Sequence, residues 1–159
     1  MSKELYAKRT VLSLKEKGWH ITAAESCTAG LFCATIADIS GVSDVLEMGF
    51  VTYSEKAKEI LTGVDQQTVD KYGVVSEEVA IKMATGSAMK ANAEVGVGIT
   101  GYAGPTGGTE KAPVGTICVG LYVNGNVHCN TFCLDVSKGR NVVREEIVEI
   151  ALKWLSELL

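Results

Sequence analysis

Hydrophobic residues recur along this chain with two different periods, one typical of helices and one of strands. Residues 3–17 carry apolar side chains at helical spacing, and Gly18 is placed to end that helix. Residues 20–24 predict a short strand, a helix follows over about 28–38, and residues 48–53 predict a second strand. This alternation of helices and strands is typical of the α/β class.

Short polar residues then mark the starts of three further helices. Serine and aspartate side chains accept hydrogen bonds from the free N–H groups of a first helical turn. Glycine directly after a helical stretch is a common end. We therefore predict helices over 55–61 after Ser54, from Asp65 to Tyr72, and from Ser76 to about Ala91, with Gly63 and Gly73 following the first two.

The last third of the chain predicts a strand, a hairpin and a helix. Residues 94–100 predict a buried strand. Residues 116–123 and 127–135 alternate in polarity around Asn124-Gly125, a dipeptide suited to the positive φ angles of a tight turn. A final helix is predicted over about 138–158. Together these elements predict an α/β domain with a mixed sheet covered on both faces, because the hairpin supplies an antiparallel pair.

Composition narrows the class of protein. The chain has 159 residues, of which 47% are hydrophobic and 21% charged, so we expect a single domain over residues 1–159. The net charge of -4 argues against nucleic-acid binding, which needs a basic face, but it allows one small anionic ligand. The first residues lack the pattern of a signal peptide, and no apolar run approaches the ~18 residues of a membrane span. We therefore expect a cytoplasmic protein with no membrane partner.

Five cysteines raise the question of a disulfide framework or a metal. The odd count favours free, buried thiols. Zinc is the alternative, since His128, Cys129 and Cys133 lie close in sequence, but adjacent residues on a strand point to opposite faces and no C-x-x-C pair exists. We expect no metal.

The segment from Ala24 to Gly30 joins a predicted strand to a helix. A serine at such a junction lies beside N–H groups that carry partial positive charge. These groups can bind an anion or stabilise an oxyanion. The alternative is structural: Ser26 or Thr28 only caps the helix.

Two more loops follow predicted strands. In residues 51–58, Ser54 and Lys58 share a helix face while Lys56 points elsewhere; the alternative is that both lysines are solvated surface charges. Residues 100–109 are rich in glycine, which lets a backbone approach a ligand closely and direct N–H groups at it. This loop matches neither G-x-G-x-x-G nor a P-loop, and the alternative is a flexible surface loop.

Histidine is scarce in this sequence. Only His20 and His128 are present, and neither lies in the three loops. A Ser-His-Asp triad is therefore poorly supplied. If Ser26 is a nucleophile, a lysine or a tyrosine must take its proton.

At these three loops the sequence resembles the C-terminal domain family of the competence- and damage-inducible protein CinA. The resemblance extends from about residue 5 to residue 157 and rests on three motifs in order. The family patterns are A-E-S-C-T-G-G, V-T-Y-S-N-E-A-K and T-G-I-A-G-P-x-G-G-T. They match residues 24–30, 51–58, where Glu55-Lys56 stand at the N-E positions, and 100–109, and P-V-G-T follows at 113–116. Ala29 and Tyr102 replace a glycine and an isoleucine of the family pattern.

The resemblance implies a three-layer α/β/α sandwich, no metal and no cofactor, and hydrolysis of the carboxamide of nicotinamide mononucleotide. It assigns the nucleophile to Ser26 and further catalytic roles to Tyr53 and Lys58. Lys58 would take the serine proton, and Tyr53 would orient or relay it. We also expect a homo-oligomer, a dimer. The residues expected to bind the oxyanion, the ring or the phosphate of this nucleotide are Thr28, Gly30, Thr100, Gly101, Gly104, Gly107, Gly108 and Arg140.

Two other functions remain compatible with the sequence. A non-catalytic nucleotide-binding or regulatory module would keep the fold and the glycine-rich loop, but it would not need Ser26, Tyr53 and Lys58 together. An amidase acting on another nucleotide amide would need all three. The sequence does not separate this second alternative from the favoured substrate.

Overall fold

A mixed β-sheet of five strands forms the centre of the computed structural model, which describes residues 2–159. The strands are β1 (Ile21–Glu25), β2 (Phe50–Val51), β3 (Val95–Gly101), β4 (Thr116–Val123) and β5 (Asn126–Cys133). The helices are α1 (Lys3–Lys17), α2 (Leu31–Ala37), α3 (Glu55–Thr62), α4 (Gln66–Tyr72), α5 (Glu77–Ala91) and α6 (Arg140–Leu158). The spatial order is β2-β1-β3-β4-β5, in which β1 is parallel to β2 and β3 while β3, β4 and β5 are antiparallel neighbours.

Helices cover both faces of this sheet. Helix α5 packs across β1, β3 and β4 on one face, and α3 and α4 pack against α5. Helices α1, α2 and α6 cover the other face, where most of the large apolar side chains are buried. The predicted three-layer α/β/α sandwich with a mixed sheet is therefore confirmed.

The alternation of valine and glycine along β3 explains the close approach of α5. Val95 and Val97 point into the main core on the α1 and α6 side. Gly96 and Gly98 point at α5, where an added Cβ would fall on the carbonyl oxygens of Ala84 and Ala80. Glycine is required here because a helix backbone lies directly on the strand.

Two predicted elements differ most from the structure. The strand predicted over 48–53 has only two residues, because its ladder with β1 is restricted to the pairs of Phe50 and Val51. The helix predicted to begin near residue 28 begins at Leu31, because Ala29 and Gly30 have φ angles of 48° and 96°, which an α-helix cannot contain. The chain from Ser26 to Gly30 is a turn instead.

Ala29 adopts a left-handed conformation that suits glycine better. This conformation costs a residue with a Cβ about 1–2 kcal/mol, whereas glycine loses about 0.4–1 kcal/mol more chain entropy on folding. We expect Ala29→Gly to raise the free energy of unfolding by about 0.5–1 kcal/mol, measured by urea denaturation. Ala34→Gly, at an exposed position inside α2, should lower it by about 1 kcal/mol. An unchanged or lower stability for Ala29→Gly would contradict the strain argument.

Candidate active site

The three loops singled out in the sequence meet at one edge of the sheet. They enclose a cavity of about 380 Å³ at the carboxyl ends of the parallel strands β1, β2 and β3. Ligands of open α/β sheets bind at this kind of edge. The cavity is lined by Ser26, Cys27, Tyr53, Ser54, Glu55, Lys58, Val74, Val75, Thr100, Gly101, Tyr102, Ala103, Thr106 and Arg140.

A lysine and a serine from different loops are hydrogen-bonded at the floor of this cavity. Lys58 reaches back from the first turns of α3, and its Nζ lies 2.9 Å from the Oγ of Ser26. The same Nζ lies 2.8 Å from the carbonyl oxygen of Thr52 and 3.5 Å from that of Tyr53. The amine is therefore held by the serine hydroxyl and by two main-chain carbonyls, with no carboxylate paired to it among the ion pairs of residues 2–159.

Burial changes the acid–base behaviour of this lysine. Lys58 is 1% exposed, and burial lowers its pKa from 10.5 to about 8, against the opposing influence of Cys27 and Glu55. An appreciable fraction of the amine is thus neutral near physiological pH. The alternative that both lysines are solvated surface charges is wrong for Lys58, while Lys56 is indeed exposed.

A buried glutamate organises the turn that carries Ser26. Glu25 is fully buried, and its carboxylate accepts hydrogen bonds from the N–H groups of Gly30, Phe32 and Cys33, at 3.1, 3.0 and 2.9 Å. These bonds satisfy the free N–H groups at the start of α2. The alternative that Ser26 or Thr28 caps this helix is therefore wrong, since Glu25 fills that role.

Some of the remaining N–H groups of the turn donate to carbonyls of the protein, and others do not. The N–H of Ser26 donates to the carbonyl of Ile99, and that of Ala29 donates to the carbonyl of Ser26. Within residues 2–159, the N–H groups of Cys27 and Thr28 donate to no other residue, although both residues are buried. Gly30, which was expected to contact a ligand, uses its N–H on Glu25 instead, and neither Gly30 nor Thr28 lines the cavity.

The thiol next to Ser26 is buried, and its pKa is raised. Cys27 also lines the cavity, but burial raises the pKa of its thiol from 9.0 to about 11. A cysteine attacks as its thiolate, which is scarce at neutral pH under these conditions. Burial therefore disfavours the Cys27 thiol as a nucleophile.

Arg140 begins α6 and reaches over the cavity. Its guanidinium donates to the hydroxyl of Tyr53, at 2.9 Å, and to the carbonyl of Gly104, at 2.7 Å. Both acceptors are neutral, and no carboxylate pairs with Arg140 within the described residues. The Tyr53 hydroxyl makes no hydrogen bond to Ser26 or Lys58, so the predicted relay through Tyr53 has no direct contact here and stays a prediction.

The glycine-rich loop contributes to the cavity with part of its length. Thr100 and Gly101 line it, and the Thr100 hydroxyl donates to the carbonyl of Val74. Gly104 does not line the cavity, but its carbonyl accepts a hydrogen bond from Arg140, which does. Gly107 and Gly108 also lie outside the lining. The ligand-binding roles expected for these residues remain predictions.

The two histidines lie outside this site. His20 sits beside Glu94 at the start of β1, and His128 packs edge-on against Trp154. Within residues 2–159, no group of three or more His, Cys, Asp and Glu side chains is arranged to hold a metal ion. No helix in that range is both long and apolar enough to cross a bilayer.

Two residues of the site were missed in the sequence. Glu25 stands inside the first motif, but only the structure shows its carboxylate turned toward the helix start. Arg144 donates to the carbonyls of Cys27 and Thr28, at 2.9 and 3.0 Å. Its spacing of four residues from Arg140 on one helix face was a usable signal.

An α/β/α sandwich with a buried lysine–serine pair at the ends of its parallel strands defines the class of this protein. The family model described as "CinA C-terminal domain" matches residues 3–159. The chain belongs to the CinA C-terminal domain family, as its motifs predicted.

The names of similar proteins differ in how specific they are. A "Nicotinamide-nucleotide amidohydrolase PncC" from Enterobacter agglomerans is 50% identical over 109 residues, which is 69% of this chain and 66% of that protein. A "CinA-like protein" from Kosmotoga olearia is 43% identical over 146 residues, which is 92% of this chain but 35% of the relative. The chain thus spans about a third of the length of CinA-like relatives such as this one.

Solved structures show the same fold over the whole length. The competence/damage inducible protein CihA from Agrobacterium tumefaciens superposes with a TM-score of 0.93 at 35% identity, covering 99% of both chains. A CinA superfamily protein from Escherichia coli gives a TM-score of 0.94 at 32% identity, covering 99% of this chain and 91% of that one.

Proposed function

We propose that this chain, acting as one domain, hydrolyses the carboxamide of nicotinamide mononucleotide to nicotinic acid mononucleotide and ammonia. The observation that carries the proposal is the 2.9 Å contact between Lys58 Nζ and Ser26 Oγ beside the cavity. The similarity to a named nicotinamide-nucleotide amidohydrolase supports the choice of substrate.

The contacts of Lys58 suit a general base. A neutral lysine has two N–H bonds and one lone pair. The carbonyls of Thr52 and Tyr53 take the two N–H bonds, which leaves the lone pair for the proton of the Ser26 hydroxyl. The lowered pKa makes this neutral form accessible near pH 8.

The reaction then proceeds in two halves. Ser26 Oγ bonds to the carboxamide carbon, its proton passes to Lys58, and the carbonyl oxygen becomes an oxyanion. When the C–N bond breaks, the leaving nitrogen takes the proton from Lys58 and departs as ammonia. Water then attacks the resulting ester and gives a proton to Lys58. When the ester C–O bond breaks, Ser26 Oγ takes that proton from Lys58 and the acid is released. No cofactor is required for these steps.

We propose that the N–H groups of Cys27 and Thr28 stabilise the oxyanion. They are the donors of the turn that bind no other residue within residues 2–159, and Cys27 lies directly after the proposed nucleophile. Donors already oriented in a buried site stabilise developing charge without reorganisation.

Arg140 is the proposed contact for the phosphate. No carboxylate within residues 2–159 pairs with its charge. The charged residues that line the cavity are two cations, Arg140 and Lys58, and one acid, Glu55. Because Arg140 is exposed, we expect its loss to cost about 1–2 kcal/mol of nucleotide binding. Arg140→Ala should therefore lower kcat/KM for the nucleotide about tenfold while changing the phosphate-free riboside little.

The measurement is ammonia release from the nucleotide and from the riboside in parallel. Lys138→Ala is the control, since Lys138 is an exposed cation two residues away that pairs with Glu146 and does not line the cavity. Equal turnover of nucleotide and riboside by the wild type would show that the site does not recognise phosphate.

The proposed activity is tested by ammonia release from purified protein with nicotinamide mononucleotide, nicotinamide and nicotinamide adenine dinucleotide. We expect turnover of the mononucleotide above the other two. Faster turnover of another amide would keep the chemistry and change the substrate, whereas no turnover would favour a non-catalytic nucleotide-binding module.

We also propose that the chain forms a homodimer. The apolar face of α6 offers no contact to a second copy, because Val143, Ile147 and Ala151 are fully covered inside the monomer. The outer edge of β5 remains unpaired in the sheet. Light scattering at micromolar concentration should give twice the monomer mass, and a monomer mass would contradict the proposal.

A further inference from the structure

The carbonyl groups of the Ser26 turn are held by an arginine from the far end of the chain. Arg144 Nε lies 2.9 Å from the carbonyl oxygen of Cys27, and Nη2 lies 3.0 Å from that of Thr28. One planar guanidinium therefore fixes two consecutive peptide groups. Its third contact is weaker, from Nη1 to the side chain of Asn141 at 3.4 Å.

The charge of this guanidinium is not neutralised by a carboxylate. The two acids that follow Arg144 in sequence are paired with lysines, Glu145 with Lys3 and Glu146 with Lys138. Arg144 itself forms no ion pair within residues 2–159. Its positive charge therefore acts on the main-chain carbonyls that it contacts.

Peptide geometry transmits this contact to the free donors. In a trans peptide the C=O and N–H bonds point in opposite directions. The carbonyl of Cys27 belongs to the same peptide as the N–H of Thr28, so fixing the carbonyl fixes that N–H. The carbonyl of Thr28 belongs to the same peptide as the N–H of Ala29, which donates to the carbonyl of Ser26 and so orients the N–H of Cys27.

We propose that Arg144 is a positioning residue for the oxyanion donors of Ser26. It holds the N–H groups of Cys27 and Thr28 in the direction that a tetrahedral intermediate requires. Because a cation bonded to a carbonyl polarises its peptide, Arg144 also strengthens the hydrogen bond that the N–H on the other side can donate. The proposal rests on the proposed amidase function. In it, Arg144 contacts neither the substrate nor the reacting atoms.

Two readouts test it in the full chain. The first is steady-state hydrolysis of nicotinamide mononucleotide. The second is the rate at which a fluorophosphonate labels Ser26, followed by mass spectrometry. In that reaction the serine oxygen bonds to phosphorus, fluoride leaves and Lys58 takes the proton. Labelling needs the oxyanion donors but no nicotinamide substrate, so it separates this proposal from the choice of substrate.

We expect Arg144→Ala to lower kcat and the labelling rate by about 10²–10³, as the loss of an oxyanion donor does, with KM changed less than threefold. The pH at which activity is half-maximal should not move, because Lys58 is unaffected. Added guanidinium, at concentrations far below those that unfold the protein, should restore part of the rate, and equal sodium chloride should not. Lys153→Ala, an exposed cation on the same helix, is the matched control.

Arg144→Lys covers the case in which the alanine variant does not fold. It keeps the charge but cannot bridge two carbonyls with one planar group, so its kcat should fall at least tenfold with an unchanged melting temperature. Wild-type kcat and labelling in either folded variant would overturn the proposal, as would a rise in KM at constant kcat. If labelling depends on Arg144 but the protein does not turn over the nicotinamide nucleotide, the positioning role of Arg144 stands and the proposed substrate is wrong.

Discussion

Ser26→Ala is expected to abolish hydrolysis of nicotinamide mononucleotide while leaving the fold intact. Removing the nucleophile of a covalent mechanism costs several orders of magnitude in kcat. The hydrogen bonds of the turn, from Ser26 N–H to the Ile99 carbonyl and from the N–H groups of Gly30 and Phe32 to the Glu25 carboxylate, do not depend on the lost hydroxyl. Ammonia release and ligand binding by calorimetry measure the two consequences separately.

The neighbouring thiol provides the control for this result. Cys27→Ala removes a side chain of similar size from the same cavity, yet its thiol has a raised pKa and should not attack. We expect this variant to retain at least a tenth of the wild-type kcat. Near-normal kcat in Ser26→Ala would refute the covalent mechanism, and inactivity of Cys27→Ala alone would move the nucleophile to the thiol.

Lys58→Met is expected to lower kcat by about 10²–10⁴, the range typical of a lost general base. Methionine fills the same buried space with an unbranched side chain, but its thioether is not a base and cannot take the serine proton. Lys56→Met is the internal control, because this lysine is exposed two residues away and should change kcat less than twofold. An essential Lys56 would contradict the hydrogen bond seen between Lys58 and Ser26.

The pH profile gives a second signature of this base. Only neutral Lys58 can take the serine proton, so kcat/KM of the wild type should rise with pH, reach half its maximum near pH 8 and level off above it. The residual activity of Lys58→Met should lack that step. A wild-type profile that falls through pH 8 would require the charged lysine and would contradict the mechanism.

The sequence predicted the elements and the three site loops because these depend on local patterns. Caps such as Ser54, which accepts from the N–H of Ala57, act within one turn of the chain. The largest differences fall where tertiary structure decides. β2 is limited to the two residues that pair with β1, and α2 starts after the left-handed Ala29 and Gly30, where Glu25 rather than a local cap accepts from the free N–H groups. Hydrophobic periodicity contains neither kind of information.

Local sequence patterns could not predict the inward direction of Lys58 or the contacts of Arg144, for the same reason. Lys58 meets a serine 32 residues away, and Arg144 meets a carbonyl 117 residues away. Such contacts are fixed by how the sheet brings distant loops together. The motif resemblance identified Lys58 without explaining it, and it left Arg144 without a role.

The shortness of β2 has a consequence for how the molecule loses activity. Ser26 follows β1, inside the sheet, but Lys58 follows β2, which is an edge strand. β2 is tied to β1 through two residue pairs, the bonds from the N–H and hydroxyl of Thr52 to the Glu25 carbonyl, and the bond from the Thr22 hydroxyl to the Met48 carbonyl. Segments with few such ties open at a lower free energy than the domain as a whole. Detachment of β2 and α3 would separate the base from the serine while β1, β3, β4 and β5 stay folded. Inactivation by mild denaturant would then precede global unfolding, and amide hydrogen exchange would be fastest at the edge that carries Lys58.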